Sequence, residues 1–271
     1  MTGPRAAAGG VGVLVVGHGT ADPLGAGETC CVAAGVAGLL PDVPVELGFL
    51  EVIGPTIADA MERLVARGCR EVVVAPLLLF AAGHAKRDVP EAVAAAAAAH
   101  GLAVRQAEPF GCLPEIVRLS ARRRREACAG LGAVPAEETV LVVLGRGSSD
   151  PTAVAQLRSF VDATLTADAE PRPRRVELGF AAAARPRLDE AILAACDPRD
   201  QDVRRIVVQP HLLFRGHVED QVTRAVGEGR CRRPDLEWVQ VGRLGADPLV
   251  AEAVAIRVAE AMRSESLARQ G

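Results

Sequence analysis

No apolar run in the 271-residue chain approaches the roughly 18 consecutive residues a membrane-spanning helix requires, so no membrane association is expected. The start, Met1-Thr2-Gly3-Pro4-Arg5, leads into a short Ala/Gly stretch rather than the apolar core and cleavage site of a secretory signal. A cytoplasmic location is therefore expected. There is no excess of positive charge either: the net charge is −3, and the electrostatic footprint of a nucleic-acid-binding protein is missing. The one dense basic cluster, Arg122 to Arg125, sits near Glu115 and Glu126 in helix-like surroundings and reads as a solvated helix face. The seven cysteines are odd in number and none is spaced CxxC. They fit reduced, mostly buried thiols and exclude a cysteine-ligated cluster or zinc site. Also lacking are GxGxxG and GxxxxGK[ST] loops, which disfavours a nucleotide cofactor, and the GxSxG elbow of a serine hydrolase. No tightly bound cofactor is expected.

What is present is a globular composition, 49% apolar and 24% charged with no long low-complexity tract, and a repeat. Val13-Leu14-Val15-Val16-Gly17-His18-Gly19-Thr20-Ala21-Asp22-Pro23 is answered by Leu141-Val142-Val143-Leu144-Gly145-Arg146-Gly147-Ser148-Ser149-Asp150-Pro151. Val45-Glu46-Leu47-Gly48-Phe49 is answered by Val176-Glu177-Leu178-Gly179-Phe180. Val72 to Phe80 matches Ile206 to Phe214, each followed by Gly-His at Gly83-His84 and Gly216-His217, and Gly111-x-x-Pro114 matches Gly245-x-x-Pro248. Ordered matches with slowly drifting offsets indicate duplication. Residues 1–134 and 135–271 are expected to be two similar half-domains joined by a linker over 130–138.

Within each copy, short β-branched runs (11–16, 43–49, 71–79 and 102–107, then 139–144, 174–180, 203–213 and 236–241) read as parallel strands buried on both faces. Helical patterns alternate with them. Ile57, Ala60, Met61, Leu64 and Val65 share one face of a helix over 56–67, and Asp88 and Pro90 open another that ends at His100 and Gly101. The expected class is α/β, with a small parallel sheet flanked by helices in each half.

Ligands of such sheets bind outside the carboxyl ends of the strands. His18 follows the first strand, Glu51 the second and His84 the third, so all three belong to one sheet edge. Imidazoles suit divalent iron, cobalt, nickel and zinc, and a carboxylate can accept a proton. The second copy is an internal control: Arg146 stands for His18 and Ala182 for Glu51, and only His217 answers His84. A purely structural set would have been kept in both. His100, at a helix end, reads as structural, and His211, inside a strand, as core.

The phrases Gly17-His18-Gly19-Thr20-x-Asp22-Pro23, Val45-Glu46-Leu47-Gly48-Phe49-Leu50-Glu51 and Pro76 through Pro90 resemble the class II, ATP-independent chelatases of the CbiX/SirB type, which insert cobalt or iron into sirohydrochlorin. The resemblance runs over nearly the whole chain in two copies, as in the long two-domain form. It implies that His18 and His84 bind the metal, with Glu51 as proton acceptor, and that the tetrapyrrole lies in a cleft between the halves. Co²⁺, Fe²⁺ or Ni²⁺ would be a substrate, not a resident cofactor. For a polycarboxylate substrate, Lys86, Arg87, Arg146, Arg185 and Arg215 are candidate partners, with His217 as a ring contact. Arg146 in the second copy implies one working site, and a monomer is expected. Two other readings stay open: a metal or tetrapyrrole carrier without catalysis, and a metal-dependent hydrolase using Asp22 or Asp88 as a third ligand.

Overall fold

The structure, a computed structural model, describes residues 10–80, 87–150, 152–167 and 171–268. All eight expected strands form: β1 (Gly10–Gly17), β2 (Val45–Phe49), β3 (Cys69–Pro76) and β4 (Ala103–Gln106), then β5 (Thr139–Gly145), β6 (Arg175–Phe180), β7 (Arg205–His211) and β8 (Glu237–Gln240). They make two four-stranded sheets of the same order, β2-β1-β3-β4 and β6-β5-β7-β8, with every pairing parallel. The reason lies in the residues. Val13, Leu14, Val15 and Val16 on β1, and Val140, Leu141 and Val142 on β5, are almost wholly buried. Apolar side chains on both strand faces need helices above and below, and parallel crossovers supply them.

Those crossovers are α1 (Pro23–Leu39), α2 (Ile57–Ala66) and α3 (Val89–His100) in the first repeat, followed by α4 (Pro114–Cys128). The second repeat has α5 (Ala153–Ala167), α6 (Leu188–Ala195), α7 (His217–Arg232) and α8 (Pro248–Ala268). α2 starts where Thr56 and Asp59 form a reciprocal capping box, at 3.1 and 2.8 Å. It buries Ile57, Ala60, Met61 and Leu64, as the spacing predicts. α3 ends at Gly101 in the left-handed region (φ +60°).

The compact units do not follow the repeat boundary. One holds the described residues through Phe110 together with those from Ala246 onward; the other is Gly111–Gly245. The cut expected at residue 134 therefore differs from the packing, because each repeat sends its last helix to the other sheet. In the first unit α8 packs on α1 and β3; in the second, α4 packs on α5 and β8. An arginine in each helix marks the equivalence. Arg257 donates to the Phe110 carbonyl at 2.8 Å, and Arg123 to the Leu244 carbonyl at 3.0 Å.

The expectation of a solvated basic face on α4 needs correction. Arg125 is exposed, but Arg122 and Arg123 are half-buried and Arg124 is only 8% exposed. Arg124 Nη1 donates to Gln209 Oε1 at 2.9 Å, and Gln209 Nε2 donates to the Ser120 carbonyl (2.7 Å) and Oγ (2.9 Å). An arginine can be buried there because its charge meets the amide of β7. The thiols also differ from expectation: none is in a disulfide, but Cys30, Cys31, Cys112 and Cys231 are exposed and only Cys69 and Cys196 are buried. Within the expected linker, 136–138 forms a turn of 3-10 helix. Among the described residues no helix is long and apolar enough to cross a membrane.

Candidate active site

The β1–β2 ladder continues past the last paired strand residues, Gly17 and Phe49. Leu50 N–H donates to the Gly17 carbonyl at 2.9 Å, and Glu51 N–H to the His18 carbonyl at 3.0 Å. These bonds carry two chemically useful side chains to the carboxyl edge of the first sheet side by side. His18 Nε2 lies 3.1 Å from Glu51 Oε1, with both side chains open to solvent in part.

Gly19 completes the arrangement. It has φ +99°, and a Cβ there would come within 1.9 Å of the Glu51 carbonyl oxygen, so no residue with a side chain fits. That carbonyl also accepts from Ile53 N–H at 2.8 Å, closing a tight turn with Val52 at its apex (φ +72°). Both backbone groups of Glu51 are thus fixed. Beyond Gly19, Thr20 Oγ accepts from Asp22 N–H at 3.1 Å. Asp22 then caps α1 by accepting from Leu24 and Gly25 N–H at 2.9 and 3.2 Å.

The second repeat has the same backbone without the chemistry. Ala181 N–H donates to the Gly145 carbonyl (3.0 Å) and Ala182 N–H to that of Arg146 (2.9 Å). Gly147 has φ +87°, with the Ala182 oxygen 1.9 Å from a Cβ placed on it. The side chains on this frame are Arg146 and Ala182. The role of Gly19 went unrecognised in the sequence, although a glycine at the same place in both repeats was the available signal.

The remaining candidates divide. His84 and Lys86 lie outside the described residues. Arg87 and Arg146 are exposed, and the Arg146 side chain makes no hydrogen bond or ion pair among the described residues. Arg215 is held by Asp220 at 2.6 Å and by Glu219 at 3.6 Å, and Arg185 pairs with Glu190. His217 is exposed as the first residue of α7. His100 ends α3 half-exposed. His211 is core: its ring centroid is 4.0 Å from that of Phe160, and burial lowers its pKa to about 3. Among the described residues no three His, Cys, Asp or Glu side chains converge as a metal-holding group. Asp22, one third ligand that a hydrolase could use, is occupied as a helix cap.

Comparison with known proteins identifies the family. The CbiX family model matches the chain twice, over residues 12–127 and 140–261. The sirohydrochlorin ferrochelatase of Bacillus subtilis (strain 168) is 30% identical over 250 residues, covering 92% of this chain and 90% of that protein. The sirohydrochlorin cobaltochelatase of Priestia megaterium is 28% identical over 254 residues, covering 93% and 80%. Among solved structures, SirB from Bacillus subtilis with Fe³⁺ matches with a TM-score of 0.79 at 28% identity, over 95% of this chain and 98% of that one. SirB of Bacillus subtilis subspecies spizizenii in complex with cobalt matches with a TM-score of 0.73 at 25% identity, over 95% and 97%. With the family model filled twice and the paired sheets reproduced over nearly the full length, the chain belongs to the CbiX family of chelatases, in its long two-repeat form.

Proposed function

We propose that this protein inserts Co²⁺ or Fe²⁺ into sirohydrochlorin without ATP, working from the carboxyl edge of its first sheet. The observation that carries this reading is the His18 Nε2 to Glu51 Oε1 approach of 3.1 Å, on a backbone frame whose duplicate holds neither group. Insertion exchanges two pyrrolic protons for one divalent ion. A neutral imidazole can hold the ion while leaving coordination positions for ring nitrogens. A carboxylate beside it can share the ion or take a departing proton. His84, matched from the sequence, is proposed as the second imidazole.

Arg146 and Arg87, exposed in the structure, are the cations proposed for the carboxylates of the ring, with Lys86 beside them in sequence. Arg215 is a weaker candidate because Asp220 and Glu219 already neutralise it, and His217 is left as a ring contact. Affinity of such ligands follows the Irving–Williams order whatever metal the cell supplies, so both metals are proposed as substrates. We also infer a monomer, since one chain already supplies two halves, and a reducing cytoplasm, to which seven cysteines with no disulfide among them are suited.

The test is to mix purified protein with sirohydrochlorin and Co²⁺ or Fe²⁺ and follow the visible spectrum. Many turnovers are expected, with His18→Ala and Glu51→Ala abolishing them. Conversion limited to one equivalent would mean a carrier, and no conversion would overturn the reading.

A further inference from the structure

We propose that Val52 and Leu24 form an apolar contact for the face of the tetrapyrrole, positioning the ring beside the metal-holding pair. This rests on the function proposed above and adds a substrate-recognition site to it. Val52 is 63% exposed and Leu24 is 57% exposed. Val52 directly follows Glu51, and Leu24 lies in the first turn of α1, six residues beyond His18, so both belong to the edge that carries the His18–Glu51 pair. The other large exposed apolar side chains among the described residues are placed elsewhere: Leu39 at the far end of α1, Leu131 in the linker and Leu193 toward the end of α6.

The backbone gives an independent reason. Val52 has φ +72°, a region that β-branched residues avoid because Cβ crowds the neighbouring carbonyl. Glycine would relieve this turn, and a valine kept there in the open contributes nothing to the core. Side chains held in such conformations cluster where a ligand is gripped. The duplicate repeats the control: Ala183 (φ +54°) stands for Val52 and Thr152 for Leu24. The larger apolar side chains are thus found only in the repeat that holds the histidine and the glutamate.

The chemistry matches the ligand. Sirohydrochlorin presents carboxylates at its rim, but its face is conjugated carbon. Cations can bind the rim; the face leaves water only against an apolar surface. Neither side chain can ligate metal, so both should act on the ring alone.

The experiment titrates metal-free sirohydrochlorin into the full chain, following the ring's absorbance, and measures Co²⁺ binding separately. The variants are Leu24→Ser/Val52→Ser and Val52→Gly. The double variant should weaken ring binding at least fivefold, since losing contact of one such side chain is worth roughly tenfold. Its Co²⁺ affinity should stay within twofold. Val52→Gly should weaken ring binding while its thermal midpoint holds or rises, which loss of structure would not produce. Ring binding by the double variant changed less than fivefold, or a parallel loss of Co²⁺ binding, would overturn the proposal. A wild-type protein that inserts no metal would overturn the functional reading itself.

Discussion

Replacing Gln209 with alanine tests how the second unit holds its helix α4. The amide accepts from Arg124 at 2.9 Å and donates to the carbonyl and hydroxyl of Ser120 at 2.7 and 2.9 Å, all in the interior. A hydrogen bond to a charged group contributes about 1.5–3 kcal/mol and a neutral one about 1 kcal/mol, and stranding a buried cation costs more than the mean bond. A loss of about 3 kcal/mol is expected, a large share of the stability of a unit this size. In thermal unfolding that corresponds to a fall of roughly 10 °C in the midpoint of the second unit. Arg124→Met also removes the charge, and in the double variant no cation is left facing the missing amide. Replacing both ends of a buried polar contact by apolar groups costs less than removing one, so the double variant should regain at least 1.5 kcal/mol relative to the sum of the singles. If the two losses add to within about 0.5 kcal/mol, the side chains are not coupled and the polar-lock argument is refuted.

Gly19→Ala should unfold the site before it unfolds the chain, because its Cβ would lie 1.9 Å from the Glu51 carbonyl; insertion activity should fall at least 100-fold, and near-normal activity would refute that geometry. The matching Gly147→Ala, with the same clash at Ala182, should lower the thermal midpoint of the second unit without disturbing Co²⁺ binding. His211 sits in the folded state with a pKa near 3 against about 6.5 when unfolded. Between those values the unfolded chain binds the extra proton, so this contribution is complete above pH 6.5 and lost as pH falls toward 3. His211→Leu, which copies Leu77 of the first repeat, should flatten the decline in urea midpoint between pH 7 and 4.5. His100→Ala, at the end of α3, should leave insertion rates unchanged.

The strands and the edge that carries His18 and Glu51 were legible in the sequence for a local reason. Val13 to Val16 and Val140 to Leu144 are too apolar to face water on either side, which fixes the parallel sheet, and a residue directly after such a strand belongs to its carboxyl edge. The partnership of His18 with Glu51 needed one step more: the sequence puts both on one edge, but the β1–β2 pairing that makes them neighbours is non-local and is given by the fold. The destination of α4 was not legible. Its run of arginines has the composition of a solvated face, and what buries Arg124 is a glutamine 85 residues away on β7. The exposure of Cys30 and Cys31 was missed for a related reason: α1 has an even apolar composition, and only its packing on α8 decides which side is inner.

The exchange of last helices then follows from where polarity was placed. At matching positions α8 carries Val254 and Val258 where α4 carries Ser120 and Arg124, and β3 carries Ala75 where β7 carries Gln209. Val254, Val258 and Ala75 are all buried in the first unit. Were α4 to dock on the first sheet, the Arg124 charge would face Ala75, and burying a cation without its hydrogen-bond acceptor is costly. Were α8 to dock on the second sheet, the Gln209 amide would meet Val254 and Val258 and lose all three of its bonds. Duplicated helices have no intrinsic reason to prefer either sheet, since each presents the same arginine to the same kind of carbonyl, Arg257 to Phe110 and Arg123 to Leu244. The polar contact between α4 and β7 supplies that preference, as single buried polar residues do when they choose between competing packings. The apolar first sheet is thereby matched with α8, in the same unit as the His18–Glu51 pair.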